Sequence, residues 1–361
     1  MTKLGSRVLF SLKLYRRKIV WENVWRKSRI RRSLFITLLV FFVYSCHKFI
    51  RLRDLSLHIF SQLSSHTRSM DEVYATLLCP SSPNSIANNE IDYYFEGTRI
   101  LTYRLLHKRS TKDTHSRRLV VLASEAVLPE QIRQLRLDGA IVHSVSIIRP
   151  PKGVNLTKTK QRWKDQYTKL VLWNMTQYSK ILYIDADILP IRPLSAIFDT
   201  PLTIDKQGHP YLFAATYDSA KTRTFGKFIR PVPVVGPNDT YAGTMPHACL
   251  FLIHPSHRQA NYLQSIYDNP PKGQDFTTFM EQSMLKYAYR DDGDYHWTRL
   301  SQMYNTQWPR LQDKAASYAL HDKFWRETSP VAWDLRRFWY IAWGEMQGWS
   351  EERQREKEWQ Q

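Results

Sequence analysis

Three cysteines in 361 residues, Cys46, Cys79 and Cys249, exclude a disulfide framework and any C-x-x-C metal knuckle. Cys79 and Cys249 sit in or after apolar runs and read as buried free thiols. No internal repeat is visible, which sets aside repeat architectures. Acidic residues are nearly missing from residues 1–32, where Glu22 stands alone among eleven lysines and arginines. That segment carries +10 of the formal net charge of +19, so the remaining residues form a mildly basic globular region rather than a nucleic-acid-binding one. Apolar runs long enough for a comfortable membrane span are lacking too. The charge-free run Ser33–Cys46 (SLFITLLVFFVYSC), extended by His47 to Ile50, sits at the short end of the roughly 17–25 residues a span needs.

Arg32 and Lys48 flank that run and can snorkel to the two interfaces. No small-residue cleavage site follows it, which argues against a cleaved signal peptide. The basic residues lie on its amino-terminal side. The expectation is therefore a cytosolic tail over 1–32, a transmembrane anchor over 33–50, and everything after it luminal. The polar, Ser-rich residues 51–70 read as a stem, and a globular domain is expected over 71–346 with a charged tail over 347–361.

What is present is concentrated in Tyr178 to Phe198, YSKILYIDADILPIRPLSAIF. Ile181 to Ile184 is an uncharged Ile-rich run bounded by polar residues, the pattern of a strand buried on both faces. Asp185 and Asp187 follow at alternate positions, which on extended chain point to one side. Two carboxylates so placed repel each other unless a cation lies between them. Pro190 and Pro193 are expected to end the strand and start a helix. Before this stretch, Glu72 to Leu78, Leu119 to Ala123 and Ala140 to Ile148 read as strands. Glu96 to His107, Leu128 to Leu137 and Trp163 to Tyr178 have helical spacing. After it, Leu212 to Ala215 and Leu250 to Ile253 read as strands, and Arg258 to Tyr267 and Phe276 to Tyr289 as helices. Such alternation predicts a doubly wound α/β sheet. The Pro- and Gly-punctuated residues 219–247 read as a long loop. Trp333, Phe338, Trp339, Trp343 and Met346 form an aromatic helical stripe, expected to pack against the core. Asn155, Asn174 and Asn238 stand in N-x-Thr sequons, with Asn174 expected to be shielded on its helix.

The run KLVLWNMTQYSKILYIDADILPIRPLSAIF resembles the glycogenin-like branch of the family-eight retaining glycosyltransferases. The resemblance covers roughly residues 72–345 and rests on Lys169-Leu170, Trp173, Thr176-Gln177-Tyr178, Tyr183-Ile184-Asp185-Ala186-Asp187 and Phe198. It implies a glycosyltransferase-A-type, Rossmann-like doubly wound mixed sheet, preceded here by the transmembrane helix. It implies a UDP-sugar donor and Mn²⁺ held by Asp185, Asp187 and a carboxyl-terminal His, best matched by His321. Lys169 matches the family's lysine near the diphosphate, and Arg162 stands nearby in sequence. Thr76 and Leu77 lie in the strand that seats the nucleoside, Ala186 lies between the two acids, and Glu281-Gln282 matches the acidic-Gln pair beside the transferred sugar. Asp218 stands where the family presents an acid toward sugar or acceptor.

Three departures stand out. Pro246-His247-Ala248-Cys249 has His247 for the usual Asn and Cys249 for the usual Gly. The pair at 281–282 begins with Glu rather than Asp. His321 is followed by Asp322-Lys323-Phe324-Trp325-Arg326, so that Lys323 or Arg326 replaces the usual phosphate contact. The leader, anchor and stem resemble fungal Golgi type II transferases that add glucose or N-acetylglucosamine. The expectation is thus a Golgi membrane enzyme with a glycan or glycoprotein acceptor and no nucleic-acid partner, with homodimerisation left open. The rival reading is a catalytically weak UDP-sugar-binding membrane scaffold, motivated by His247 and Cys249.

Overall fold

The structure, a computed structural model, describes residues 72–79, 91–151, 163, 165–218, 245–274, 276–329 and 331–359. The expected tail, anchor and stem, Arg162, Asn155 and Asn238 lie outside these residues. None of the described helices is long and apolar enough to cross a membrane.

The chain runs β1 (Glu72–Leu78), α1 (Tyr93–Leu106), β2 (Arg118–Ser124), α2 (Pro129–Leu137), β3 (Ile141–Val145), a 3-10 helix (Gln166–Asn174), β4 (Lys180–Ile184) and β5 (Ile188–Pro190). There follow a 3-10 turn (Ser195–Asp199), the short strands β6 (Thr203–Ile204) and β7 (Pro210–Tyr211), β8 (Phe213–Tyr217) and β9 (Pro246–Ile253). The carboxyl-terminal part holds α3 (His257–Asp268), α4 (Glu281–Ala288), β10 (Thr298–Arg299), β11 (Thr306–Gln307), β12 (Ala319–His321) and α5 (Trp333–Trp359).

Seven strands form the main sheet in the order β10-β8-β9-β4-β1-β2-β3. β1 pairs in parallel with β2 and β4, while β9 runs antiparallel to β4 and β8, so the sheet is mixed. Both faces are covered. Val73, Ala75 and Leu77 of β1 join a core with Trp173, Leu263 and Met284, whereas Tyr74 and Leu78 join one with Leu101, Leu135 and Phe198. This is why β1 and β4 read as continuous apolar runs rather than alternating ones. The sheet order reverses between β1 and β4, and their carboxyl ends open on a crevice, the place where open α/β sheets bind ligands.

A smaller sheet, β11-β12-β5, lies beside that crevice. β12 pairs antiparallel with β5, with Leu320 opposite Leu189 and His321 opposite Ile188. The strand through Ile184 therefore ends before the acids, and Pro190 is the last residue of a separate paired strand, β5. Its missing N–H is tolerated because it ends a three-residue strand. The helix expected from Pro193 is only the short 3-10 turn Ser195–Asp199. The expected helix over 163–178 is likewise tighter and shorter, the 3-10 helix Gln166–Asn174, and Asn174 at its end is exposed rather than shielded. The expected helix over 276–289 begins only at Glu281, after Met280 takes a left-handed φ of 50°.

α5 confirms the packing role of the aromatic stripe. Leu335, Trp339, Ala342 and Met346 are buried against α1 and β12, while Trp333 at its start is exposed. The helix crosses residue 346 without a break. Trp349 stacks on His107 at 4.2 Å between ring centroids, and Ser350 is buried where Arg99 Nη2 donates to its hydroxyl at 3.0 Å. The packed domain thus extends past the boundary expected at 346.

Asp113 ties β1, β2 and the segment after β5 together. Its buried carboxylate accepts from Tyr74 Oη at 2.7 Å, Ser195 Oγ at 2.8 Å, Arg117 Nη1 at 3.1 Å, and the backbone N–H groups of His115 and Arg117. Burial alone would raise its pKa, but these donors and the Arg117 charge outweigh burial and hold it below the ordinary value of 3.8. A depressed carboxylate contributes stability above its unfolded pKa and loses it as pH falls through the folded value. Asp113→Asn, whose amide turns donors toward donors, is expected to lower the unfolding free energy by about 2–4 kcal/mol at pH 7. Denaturant titrations should show that difference shrinking below pH 3.8.

Candidate active site

The crevice holds a cavity of about 550 Å³, within the usual range for small-ligand sites. The end that carries the two aspartates is built by three strands. β4 ends in the turn Asp185-Ala186-Asp187, with the N–H of Ile188 returning to the Asp185 carbonyl at 3.1 Å. The two acids therefore sit on a turn, not on extended chain, yet both line the cavity. β9 runs beside β4, and the Asp185 N–H donates to the Cys249 carbonyl at 2.8 Å. β12 brings His321 alongside because its partner Ile188 directly follows Asp187.

Asp187 is buried. Its Oδ1 lies 3.3 Å from His321 Nε2, and Lys323 Nζ pairs with its Oδ2. Burial would raise this carboxyl, but the Lys323 charge and the His321 ring outweigh it and hold the pKa well below the ordinary value. Asp187 Oδ1 and His321 Nδ1 are buried without a hydrogen-bond partner. An ionised carboxylate and an imidazole with unused lone pairs, close together beside a second aspartate, fit a divalent cation.

Lys169 sits deeper. Its fully buried ammonium lies 3.1 Å from Asp185 Oδ1, 3.1 Å from Glu281 Oε1 and 2.9 Å from the Ala248 carbonyl oxygen. Burial would lower its pKa, but Asp185 and Glu281 reverse the shift and hold it raised. All three of its donors are engaged, so Lys169 acts as a rivet between β4, β9 and α4. Tyr183 adds an O–H donor to Asp185 at 2.5 Å.

The adjoining wall is framed by α4. Glu281 is held by Lys169, and its pKa is raised because burial outweighs that partner. Gln282 accepts from the Ala248 N–H at 3.0 Å and donates to Asp218 Oδ2 at 2.8 Å. Glu281, Gln282 and Asp218 all line the cavity, as do Leu77, Ala186, His247 and Lys323. Thr76 does not. Side chains alternate along β1, and Thr76 faces the α1 side with its hydroxyl buried.

Cys79 and Cys249 are half-buried at the cavity wall rather than fully buried in the core. Desolvation pushes the Cys79 thiol up to about 12. His247 and Cys249, two residues apart on β9, share one side of the strand and face His321. Alternation in Pro246-His247-Ala248-Cys249 was the signal that could have placed Cys249 here. Nothing in the sequence marked Gly97 or Tyr94. Gly97 in α1 lets the helix lie directly on the Asp185–Asp187 turn, where a Cβ would stand 2.5 Å from the Ala186 carbonyl oxygen.

Residues 92–323 match Glycosyl transferase family 8. The chain belongs to that family. This glycosyltransferase is 28% identical to an uncharacterized protein of Schizosaccharomyces pombe over 73% of its own length and 76% of that protein's. It is 29% identical to glycogenin of Neurospora crassa over 36% of its length and 17% of that protein's. Among solved structures, the galactosyltransferase LgtC in complex with donor and acceptor sugar analogs aligns at 15% identity and a TM-score of 0.46, covering 76% of this chain and 95% of that one. The family match includes both acids of the turn, Glu281, Gln282 and His321.

Because the α1 backbone rests on the glycosyltransferase's acidic turn, Gly97→Ala must shift one or the other. The expected result is a loss of about 1–3 kcal/mol of stability and a fall in transfer activity larger than that loss explains at a temperature where the variant is folded. Thermal unfolding and activity measured on the same sample check this.

Proposed function

We propose that the enzyme transfers a hexose, glucose or N-acetylglucosamine, from a UDP-sugar to a glycan or glycoprotein acceptor with retention of anomeric configuration. The observation that carries this reading is the convergence of Asp185, Asp187 and His321 with Glu281, Gln282 and Asp218 on one cavity.

Asp185, Asp187 and His321 would hold a divalent cation, Mn²⁺ in this reading, which supplies Lewis-acid stabilisation of the leaving diphosphate. The protein's own residues do the rest. Lys323 and Arg326, at the cavity wall, place positive charge where a diphosphate's oxygens would lie. Leu77 and Tyr94 line the side next to the carboxyl end of β1, suited to the nucleoside. Gln282, fixed at both ends by Ala248 and Asp218, presents its amide toward the sugar with little freedom. Lys169 pairs with both Asp185 and Glu281 and so fixes the two carboxylates relative to one another. The left-handed Met280 just before α4 aims this pair of side chains, a strain held by its burial.

A basic leader followed by the short apolar run 33–50 supports the accompanying reading of a Golgi type II membrane protein with a luminal catalytic domain.

Asp187→Asn removes charge from the metal-facing end while keeping size. With UDP-glucose and UDP-N-acetylglucosamine as donors and Mn²⁺ present, UDP release is expected to fall about 10²-fold or more. Turnover equal to wild type would end the assignment. UDP binding without transfer across a donor panel would leave the scaffold reading instead.

A further inference from the structure

The cavity wall carries two side chains that the hexose-transfer reading does not use. His247 and Cys249 face His321, and one nitrogen from each ring and the thiol sulfur all lie within 4.8 Å of one another. The two imidazole centroids are 5.3 Å apart. Asp187 Oδ1 stands 3.3 Å from His321 Nε2 without completing a hydrogen bond, as two ligands on one edge of a coordination shell do. We infer that His247, Cys249 and His321, with Asp187 as fourth ligand, form a site for a thiophilic divalent cation such as Zn²⁺ or Co²⁺ at the edge of the donor cavity.

The chemistry of the donor set carries the inference. Two imidazoles, a thiol and a carboxylate make an N/S/O set typical of tetrahedral zinc. Thiolate is a poor ligand for Mg²⁺ or Mn²⁺ and a good one for zinc and cobalt. Metal–ligand bonds of about 2.0–2.3 Å place tetrahedral ligands about 3.3–3.8 Å apart, so the Asp187–His321 edge already fits. His247, Cys249 and His321 close further on the ion from within 4.8 Å, and Asp187, which lies against His321 but outside that cluster, moves in to complete the set.

The supporting shell is in place. The Asn305 amide lies 2.7 Å from His247 Nδ1 and donates to Thr216 Oγ1 at 3.0 Å, which fixes the ring; the Gln307 amide lies 3.5 Å from Nε2, and an ion on Nε2 displaces that longer contact with the ring proton on Nδ1. His321 is fixed by strand pairing on both sides, to Ile188 of β5 and Gln307 of β11. Cys249 is held by β9, whose backbone pairs with β4 and carries the Asp185 N–H contact.

This inference rests on the hexose-transfer reading only in sharing Asp187 and His321, and it gives the ion a different preference. Zinc, bound more tightly than Mn²⁺ by such a set, is expected to compete with it for the donor site.

The test uses the full chain, stripped with EDTA and titrated with Co²⁺. The expected result is one equivalent of tetrahedral cobalt with an intense near-ultraviolet thiolate-to-cobalt charge-transfer band. Cys249→Ser should abolish that band while keeping weaker d–d absorption, and His247→Asn should weaken Co²⁺ binding about 10–100-fold. Should Cys249→Ser fail to fold, alkylation of the wild type read by mass spectrometry decides. Zn²⁺, unlike Mg²⁺, should slow modification of Cys249 at least tenfold and leave that of Cys79 unchanged. A cobalt spectrum without a thiolate band, or equal Cys249 alkylation with and without Zn²⁺, overturns the inference while leaving the glycosyltransferase reading intact. A thiolate band in a chain that binds no UDP in Mn²⁺ would do the reverse.

Discussion

Asp187 is a carboxylate in a place where burial alone would raise its pKa. It stays charged because Lys323 and His321 arrive beside it on a different sheet. That arrival depends on register. The antiparallel pairing of β12 with β5 puts His321 opposite Ile188, one residue past Asp187, and the Asp322 N–H reaches the Asp187 carbonyl at 3.3 Å. A slip of one residue would turn His321 to the other face of the small sheet and leave an unpaired buried charge. The second sheet thus exists, in functional terms, to complete an aspartate at the end of the first.

From Asp187 the rest of the site can be traced outward. Asp185 belongs to the other side of the turn, where Tyr183 and Lys169 hold it, and Lys169 carries the connection on to Glu281. Ala248 serves both ends: its carbonyl takes the Lys169 ammonium and its N–H serves Gln282. A single β9 residue thereby couples the Asp185 side of the cavity to α4. Rigid positioning of this kind is what a transfer reaction needs, since a charged leaving group must be met by groups already aimed at it.

Much of this was legible in the sequence, and the parts that were not have a common cause. β1, β2 and β4 were visible because burial on both faces writes an unbroken apolar run. The acids after β4 were visible because such a run rarely ends in two carboxylates unless they have a task. His321 was reached only through its match to a family pattern, since its meaning comes from a partner strand 133 positions earlier in the chain, Ile188. Gly97 carried no local sign at all: a helix glycine looks like a weak point until the carbonyl lying 2.5 Å from its absent Cβ is seen. Cys249 looked like core because its neighbours are apolar, while its own side of β9 faces the cavity. Pro190 does end a strand, but a separate one: the turn at Asp185–Asp187 divides β4 from β5, and nothing local in the sequence marked that division. Local pattern fixes elements; contacts between distant elements fix the site.

The most direct check on the central claim is a diffraction experiment on crystals grown with Mn²⁺ and UDP, with anomalous differences recorded for manganese. The account predicts a manganese peak in bonding contact with Asp187 and His321, the UDP diphosphate against it, and Lys323 released from Asp187 toward the phosphates. Lys323 still paired with Asp187, with manganese and nucleotide bound elsewhere or not at all, would contradict it.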